Sequence, residues 1–190
     1  MKENKQKLII ISVLVLVILI VLTLLIFNNK KETGTISSVS DIKSMIKTIY
    51  KGVELPNLET NVIDVKNEDE VKAYTGLQSN KDVDALVISA PLMTSQAYLL
   101  SVVKVKDGAN IEEMKKEMLD NINMNMWICV SADKLYITNS GNIIFLVMSS
   151  EEWAKPVYDN FKKYVNNVGK ELTKEQNFDS GILPGEIIVD

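Results

Sequence analysis

The sequence predicts an α+β chain: an N-terminal transmembrane helix, then a two-layer domain with a four-stranded, mostly antiparallel sheet of two hairpins and helices on one face. Three observations carry this. The run from Leu8 to Phe27 contains only Ser12 and Thr23 outside the aliphatic and aromatic residues. Two pairs of apolar segments lie either side of short turns, Val83 to Ala90 with Ala97 to Val105, and Lys134 to Asn139 with Ile143 to Ser149. Stretches with helical spacing of apolar residues separate and flank those pairs, the order that segregates helices onto one side of an antiparallel sheet.

Residues 8–27 span about 30 Å as a helix, the thickness of a bilayer's hydrocarbon core. Apolar side chains contribute roughly −0.3 to −0.6 kcal/mol each to insertion, enough to outweigh one serine and one threonine. Lys2, Lys5 and Lys7 precede the helix and Lys30 and Lys31 follow it. This bias keeps residues 1–7 cytoplasmic and places the following domain outside. The Ile26-Phe27-Asn28-Asn29-Lys30 exit offers no small-residue cleavage site, which favours an uncleaved signal anchor over Sec-type cleavage. Its interior lacks charge, glycine and alanine, so it has neither the ionisable groups of a transport path nor a small-residue dimer face. Its expected partner is the bilayer.

Residues 28–39 are small and polar and read as a stalk. The domain is expected over 40–168. Ser40 is the expected cap of a first helix, with Ile42, Met45, Ile46, Ile49 and Tyr50 on one face and Gly52 beyond. Val53 to Leu77 reads as a loosely regular connector, broken by Pro56 and allowing one or two helical turns over Glu68 to Tyr74. The first hairpin turns through Pro91 to Ser95. Asn110 caps the next helix with Glu113 in the capping-box position, and Ile111, Met114, Met118, Leu119 and Ile122 form its buried stripe. The second hairpin turns at Ser140-Gly141-Asn142, and the continuous Ile143 to Met148 run predicts a central, covered strand. Ser149 or Ser150 opens the last helix, which either kinks or starts at Pro156. Val157, Phe161, Tyr164, Val165 and Val168 line its inner side, and Gly169 ends it. Residues 169–190 read as a C-terminal tail or an added edge strand: Gly169 to Gly181 is polar, and Ile182 to Val189 is either the edge strand or a disordered end.

The chain has 21 basic residues, all lysine, and 25 acidic ones; residues 1–32 hold five of the former and two of the latter, so the rest carries a net charge of −7. Such a domain repels nucleic acid, which requires clustered cations. With no arginine and no histidine, the usual phosphate clamp, general base and metal ligand are missing.

Motifs of possible chemistry have bland readings beside them. Ser101 with Lys104 and Ser131 with Lys134 give Ser-x-x-Lys, and Ser140-Gly141-Asn142 gives Ser-x-Asn, as in penicillin-recognising enzymes. In that chemistry the first motif opens a helix, whereas residues three apart in a strand point to opposite faces. Cys129, the sole cysteine, reads as a buried small apolar residue or as an intermolecular bridge. Met114 and Met118, with Met124 and Met126 beyond, read as core rather than as a Cu(I) site. Glu68-Asp69-Glu70 and Asp82 with Asp84 match no calcium loop and read as solvated charge.

Ala97 to Asp107, a Glu- and Lys-rich helix, and Gly141 to Ser149 before a further helix resemble an uncharacterised family of membrane-anchored or lipid-anchored extracytoplasmic domains from Gram-positive bacteria. The resemblance covers about 85 residues and implies an envelope location with no assigned activity. That family commonly opens its second strand with an acidic residue, where this chain has Tyr98 and Leu99. The sequence thus points to a non-enzymatic, membrane-anchored interaction module with an envelope protein partner and no nucleic acid, and alternatively to a carboxylate-dependent hydrolase of envelope material. It names no catalytic, cofactor-binding or metal-ligating residue.

Overall fold

A computed structural model describes residues 36–176. Four helices and six strands follow one another: α1 (Val39–Ile49), β1 (Leu58–Ile63), α2 (Glu68–Thr75), β2 (Val83–Pro91), β3 (Tyr98–Val105), α3 (Ile111–Asn121), β4 (Lys134–Ser140), β5 (Ile143–Ser149), α4 (Glu151–Tyr164) and β6 (Leu172–Glu175). The strands form one sheet in the order β1-β2-β3-β5-β4-β6, every pair antiparallel. The expected fold class is thereby corrected: six strands replace four, and helices cover both faces of the sheet rather than one.

The side chains of β3 and β5 explain the second layer of helices. Every residue of β5 is buried, and so is every residue of β3 except half-buried Lys104. Because successive side chains alternate in direction, strands of this kind need cover above and below. On one face Leu99, Val103, Ile144, Leu146 and Met148 meet Val71 of α2 and Met114 and Met118 of α3. On the other, Leu100, Val102, Phe145 and Val147 meet Ile42, Met45, Ile46 and Ile49 of α1 and Ala154, Val157, Tyr158 and Phe161 of α4. The first core is aliphatic and methionine-rich. The second is aromatic, with Phe145 stacked on Phe161 at 4.1 Å and Tyr136 on Tyr158 at 4.7 Å between ring centroids.

The hairpins, the α3 cap at Asn110 and the central position of β5 agree with the sequence reading. Other boundaries differ. Ser38, not Ser40, caps α1, because Asp41 at the third helical position returns its carboxylate to the Ser38 amide at 2.9 Å and completes a capping box. The α4 helix runs from Glu151 through Pro156 and ends at Tyr164, five residues before Gly169; Val168 is exposed. Within the expected connector, β1 is a strand the sequence did not show, whereas the helical turns expected over Glu68 to Tyr74 are present as α2, a helix of two turns closed by Gly76 in the left-handed region at φ +80°. A Cβ on Gly76 would stand 2.7 Å from the Ile122 amide nitrogen, so glycine is required there both by conformation and by space. An edge strand does form in this region, but it is β6, Leu172–Glu175, within the stretch the sequence shows only as polar and not at Ile182 to Val189. Ile182 to Val189 lies outside the described residues, as do residues 1–7, the 8–27 span and residues 28–35 of the stalk. No helix among the described residues is long and apolar enough to cross a membrane.

Candidate functional site

A groove of about 400 Å³ opens between α1 and β1. Its helical wall carries Lys43, Ile46, Lys47 and Tyr50. Leu58 and Thr60 of β1 face it, and Val53, Leu55 and Pro56 close one end. The capping box fixes where α1 starts and hence its rotation, so Ile42, Met45, Ile46 and Ile49 turn to the sheet and Lys43 and Lys47 to solvent. At the far end Asn160 of α4 donates to the Ile49 carbonyl at 2.8 Å and holds the last turn. Tyr50 is the C-terminal cap, and its ring turns back toward the sheet.

Tyr50 and Thr60 of the groove lining belong to a hydroxyl set that continues into the buried Ser89 and Tyr98 behind them. Tyr98 of β3 donates to the Tyr50 hydroxyl at 3.0 Å, Thr60 of β1 donates to Ser89 of β2 at 3.3 Å, and Ser89 also meets the Tyr50 hydroxyl. Burial pushes the Tyr50 phenol up to about 12, against the hydrogen bonds from Ser89 and Tyr98. Burial also raises Tyr98 well above its ordinary value, with the Tyr50 oxygen adding to the shift. Both phenols therefore stay neutral through the physiological range and act as hydrogen-bonding groups, not as bases.

Charge at the rim is of one sign. Lys43 and Lys47 of α1 line the groove and Lys51 follows just past the helix cap at the same four-residue interval; among the described residues none of the three is in an ion pair. Other lysines are divided: Lys104 meets Asp84 at 2.5 Å, Lys155 meets Asp159 at 2.5 Å and Lys134 pairs with Glu175, whereas Lys66, Lys72, Lys116, Lys163 and Lys170 are likewise in no ion pair among the described residues. What sets Lys43 and Lys47 apart is that they line an apolar groove. A cationic rim over an apolar wall with neutral hydroxyls beneath has the composition of a ligand site.

Two other cavities are less suited to a ligand. One of about 600 Å³ lies between α3 and the approach to β6, ringed by Glu112, Glu113, Lys116, Asp120 and Lys170. Beside it, fully buried Lys115 donates to Asn139 Oδ1 at 2.7 Å and to the Lys170 carbonyl at 2.8 Å, and pairs with Glu112 at 2.6 Å. All three N–H donors are thus taken, so Lys115 is a structural clamp. A second cavity of about 270 Å³ holds Asp133, Glu151 and Glu175. Tyr136 bonds both oxygens of Glu151 at 2.8 Å, and Lys134 occupies Glu175. At Asp159, burial raises the carboxyl but Lys155 and Lys162 outweigh it, leaving it below its ordinary value, and Ser38 and Ser37 lower Asp41. A general acid requires the opposite shift.

The motifs singled out in the sequence do not converge. Ser101 is buried and donates to the Tyr74 carbonyl at 2.5 Å, while Lys104 points to the other face of β3 and reaches Asp84. Ser131 lies in the segment before β4, where Lys134 turns to Glu175. Asn142 is bound to Val105 through backbone and side chain. Met114, Met118 and Met124 are buried in the aliphatic core. Asp82 and Asp84 pair with Lys81 and Lys104, Glu68 to Glu70 form the first turn of α2, and no cluster of metal-ligating side chains occurs among the described residues. Cys129 corrects its expected burial: it is exposed, at φ +61°, because Ala132 and Trp127 take the inward positions of its loop. Sequence reasoning missed the groove, whose one visible signal was the four-residue spacing of Lys43, Lys47 and Lys51.

Comparison of this chain with family models, curated proteins and solved structures gives no match.

Proposed function

We propose that this protein is a membrane-tethered, extracytoplasmic binding module of the cell envelope, that it is not an enzyme, and that the α1–β1 groove is where it takes its partner. The observation that carries the reading is the pair of exposed, unpaired lysines over an apolar wall, in a domain of net negative charge. An acidic surface repels most anionic partners, so a local cationic rim selects where one can land. The anchor rests on the apolar run 8–27 and the outward placement on the lysines that flank it.

Cys129 supplies the topology test, being both the only cysteine and exposed. In intact cells carrying the full-length chain, a membrane-impermeant maleimide is expected to label it, and labelling only after permeabilisation would contradict the outward placement. Photo-crosslinking in the same cells tests the groove. A crosslinked envelope protein is expected to be lost in Lys43→Glu/Lys47→Glu and retained in Lys163→Glu on α4. Equal yields from both variants, or no crosslinked protein at all, would remove the groove from this role.

A further inference from the structure

We infer that the occupant of the groove is an extended peptide that pairs with the outer edge of β1 and presents acidic side chains to Lys43 and Lys47; this rests on the binding reading above. Three features of the groove point to the same ligand. The first is a free backbone edge. β1 is the outermost strand and pairs all six residues with β2, from Leu58 opposite Pro91 to Ile63 opposite Leu86. Among the described residues no backbone group of Leu58–Ile63 bonds anything beyond that ladder. Such an edge offers alternating donors and acceptors over about 20 Å, the template onto which an extended chain adds.

The second feature is the position of the groove relative to that edge. Leu58, Thr60 and Val62 lie opposite Pro91, Ser89 and Val87, so all three are on the α1 side of the sheet. Val62 is 47% exposed, and α1 leaves the outer flank of β1 uncovered there. A strand added outside β1 directs alternate side chains into the space between β1 and α1, where Ile46, Leu55 and Leu58 form an apolar pocket.

The third is charge at a matching interval. Lys43 and Lys47 are about 6 Å apart along the helix axis. Alternate residues of a strand are about 6.6 Å apart. The two ammonium groups therefore suit carboxylates on alternate residues of the incoming chain, next to an apolar side chain in the pocket. A small amphiphilic acid would satisfy the lysines and the pocket but leave the backbone edge unused, and for that reason we assign the peptide.

The test uses full-length protein in lipid nanodiscs and a random heptapeptide library displayed on phage, with the selected peptides then synthesised. Selection is expected to enrich sequences with an apolar and an acidic residue two positions apart, bound at least tenfold more weakly by Lys43→Glu/Lys47→Glu. Only alternate amides of an added strand face β1. N-methylation of one alternate set is expected to cost at least tenfold in affinity, and of the other set little. Bound peptide should slow hydrogen exchange at Leu58–Ile63 and leave Leu172–Glu175 unchanged. Failure of any sequence to enrich, equal binding of both methylated forms, or protection at β6 in place of β1 overturns the proposal. Laurate binding that depends on Lys43 and Lys47, with no peptide bound, would also overturn it while leaving the groove as the binding site. Crosslinking in cells that is absent from the native chain, or unchanged in Lys43→Glu/Lys47→Glu, would count against the binding reading itself.

Discussion

The two edges of the sheet are built on different plans. β1 runs for six residues, contains no lysine, and faces a groove; its inner side is fixed by small hydroxyl contacts through Thr60, Ser89, Tyr50 and Tyr98. β6 runs for four, carries Lys174, and is tied down by side chains and flanking residues: Lys174 donates to the Leu119 carbonyl at 3.2 Å, Lys134 pairs with Glu175, Gln176 bonds the Asp133 and Ala132 carbonyls, and Lys115 holds the Lys170 carbonyl just before it. Short length and lysine are the usual ways of closing an edge against further pairing. The difference teaches that this protein guards one edge and leaves the other available.

Perturbing the closed edge should have the larger effect on stability. Lys115→Met leaves Asn139 and the Lys170 carbonyl without their donor inside the protein, and is expected to lower unfolding stability by about 2–4 kcal/mol in denaturant titration, with faster exchange at Leu172–Glu175. An unchanged midpoint would show that the clamp is dispensable. Gly169→Ala comes next. Its Cβ would fall inside the Asn139 amide, and displacing Asn139 breaks the Lys115 hydrogen bond, so a loss of about 1–3 kcal/mol is expected by the same measurement.

Perturbations on the open side should be milder. Tyr98→Phe deletes the hydroxyl that meets Tyr50 and is expected to cost about 0.5–1.5 kcal/mol. The same pair gives a pH signature. Tyr50 is raised to about 12 in the folded state against an ordinary value of 10.0, so folding favours its protonated form. That stabilisation is full below pH 10 and is lost as pH rises toward 12. Absorbance at 295 nm should accordingly show Tyr50 ionising late or together with alkaline unfolding, and ionisation near pH 10 in the folded protein would contradict the buried hydroxyl set. The smallest expected change is Val62→Glu, within about 0.5 kcal/mol because the side chain is half in solvent. The added carboxylate should nonetheless repel an acidic peptide from β1, which separates ligand binding from fold stability in a single substitution.

The parts of this fold visible in the sequence were those where one signal dominates. β5, as Ile-Ile-Phe-Leu-Val-Met, and α3, with its Asn110 cap and methionine stripe, are each specified locally. β1 and β6 were obscured for a common reason. Leu-Glu-Thr-Asn-Val-Ile and Leu-Thr-Lys-Glu are edge strands with half of their side chains in water, so their alternation is built from polar residues as much as apolar ones. Pro56 just ahead of β1 added to the irregular look. The second helical layer was inferable, since the continuous apolar run of β5 and that of β3, interrupted only by Ser101 and Lys104, leave neither face for solvent. The groove was not, because Lys43 and Thr60 are neighbours only after α1 has been laid across a strand that the sequence concealed. Buried Lys115 has no local signal either, as its acceptors come from Asn139 and Lys170, far along the chain.

The hydrogen bond from Asn160 to the Ile49 carbonyl joins residues 111 positions apart. During synthesis α1 and β1 are made early, whereas the residue that latches the end of α1, and the β5 and α4 surfaces on which α1 lies, are made late. A nascent chain halted anywhere before Asn160 therefore carries every residue of the groove without the latch that holds the last turn of α1, so the groove wall is completed only with the C-terminal half of the domain.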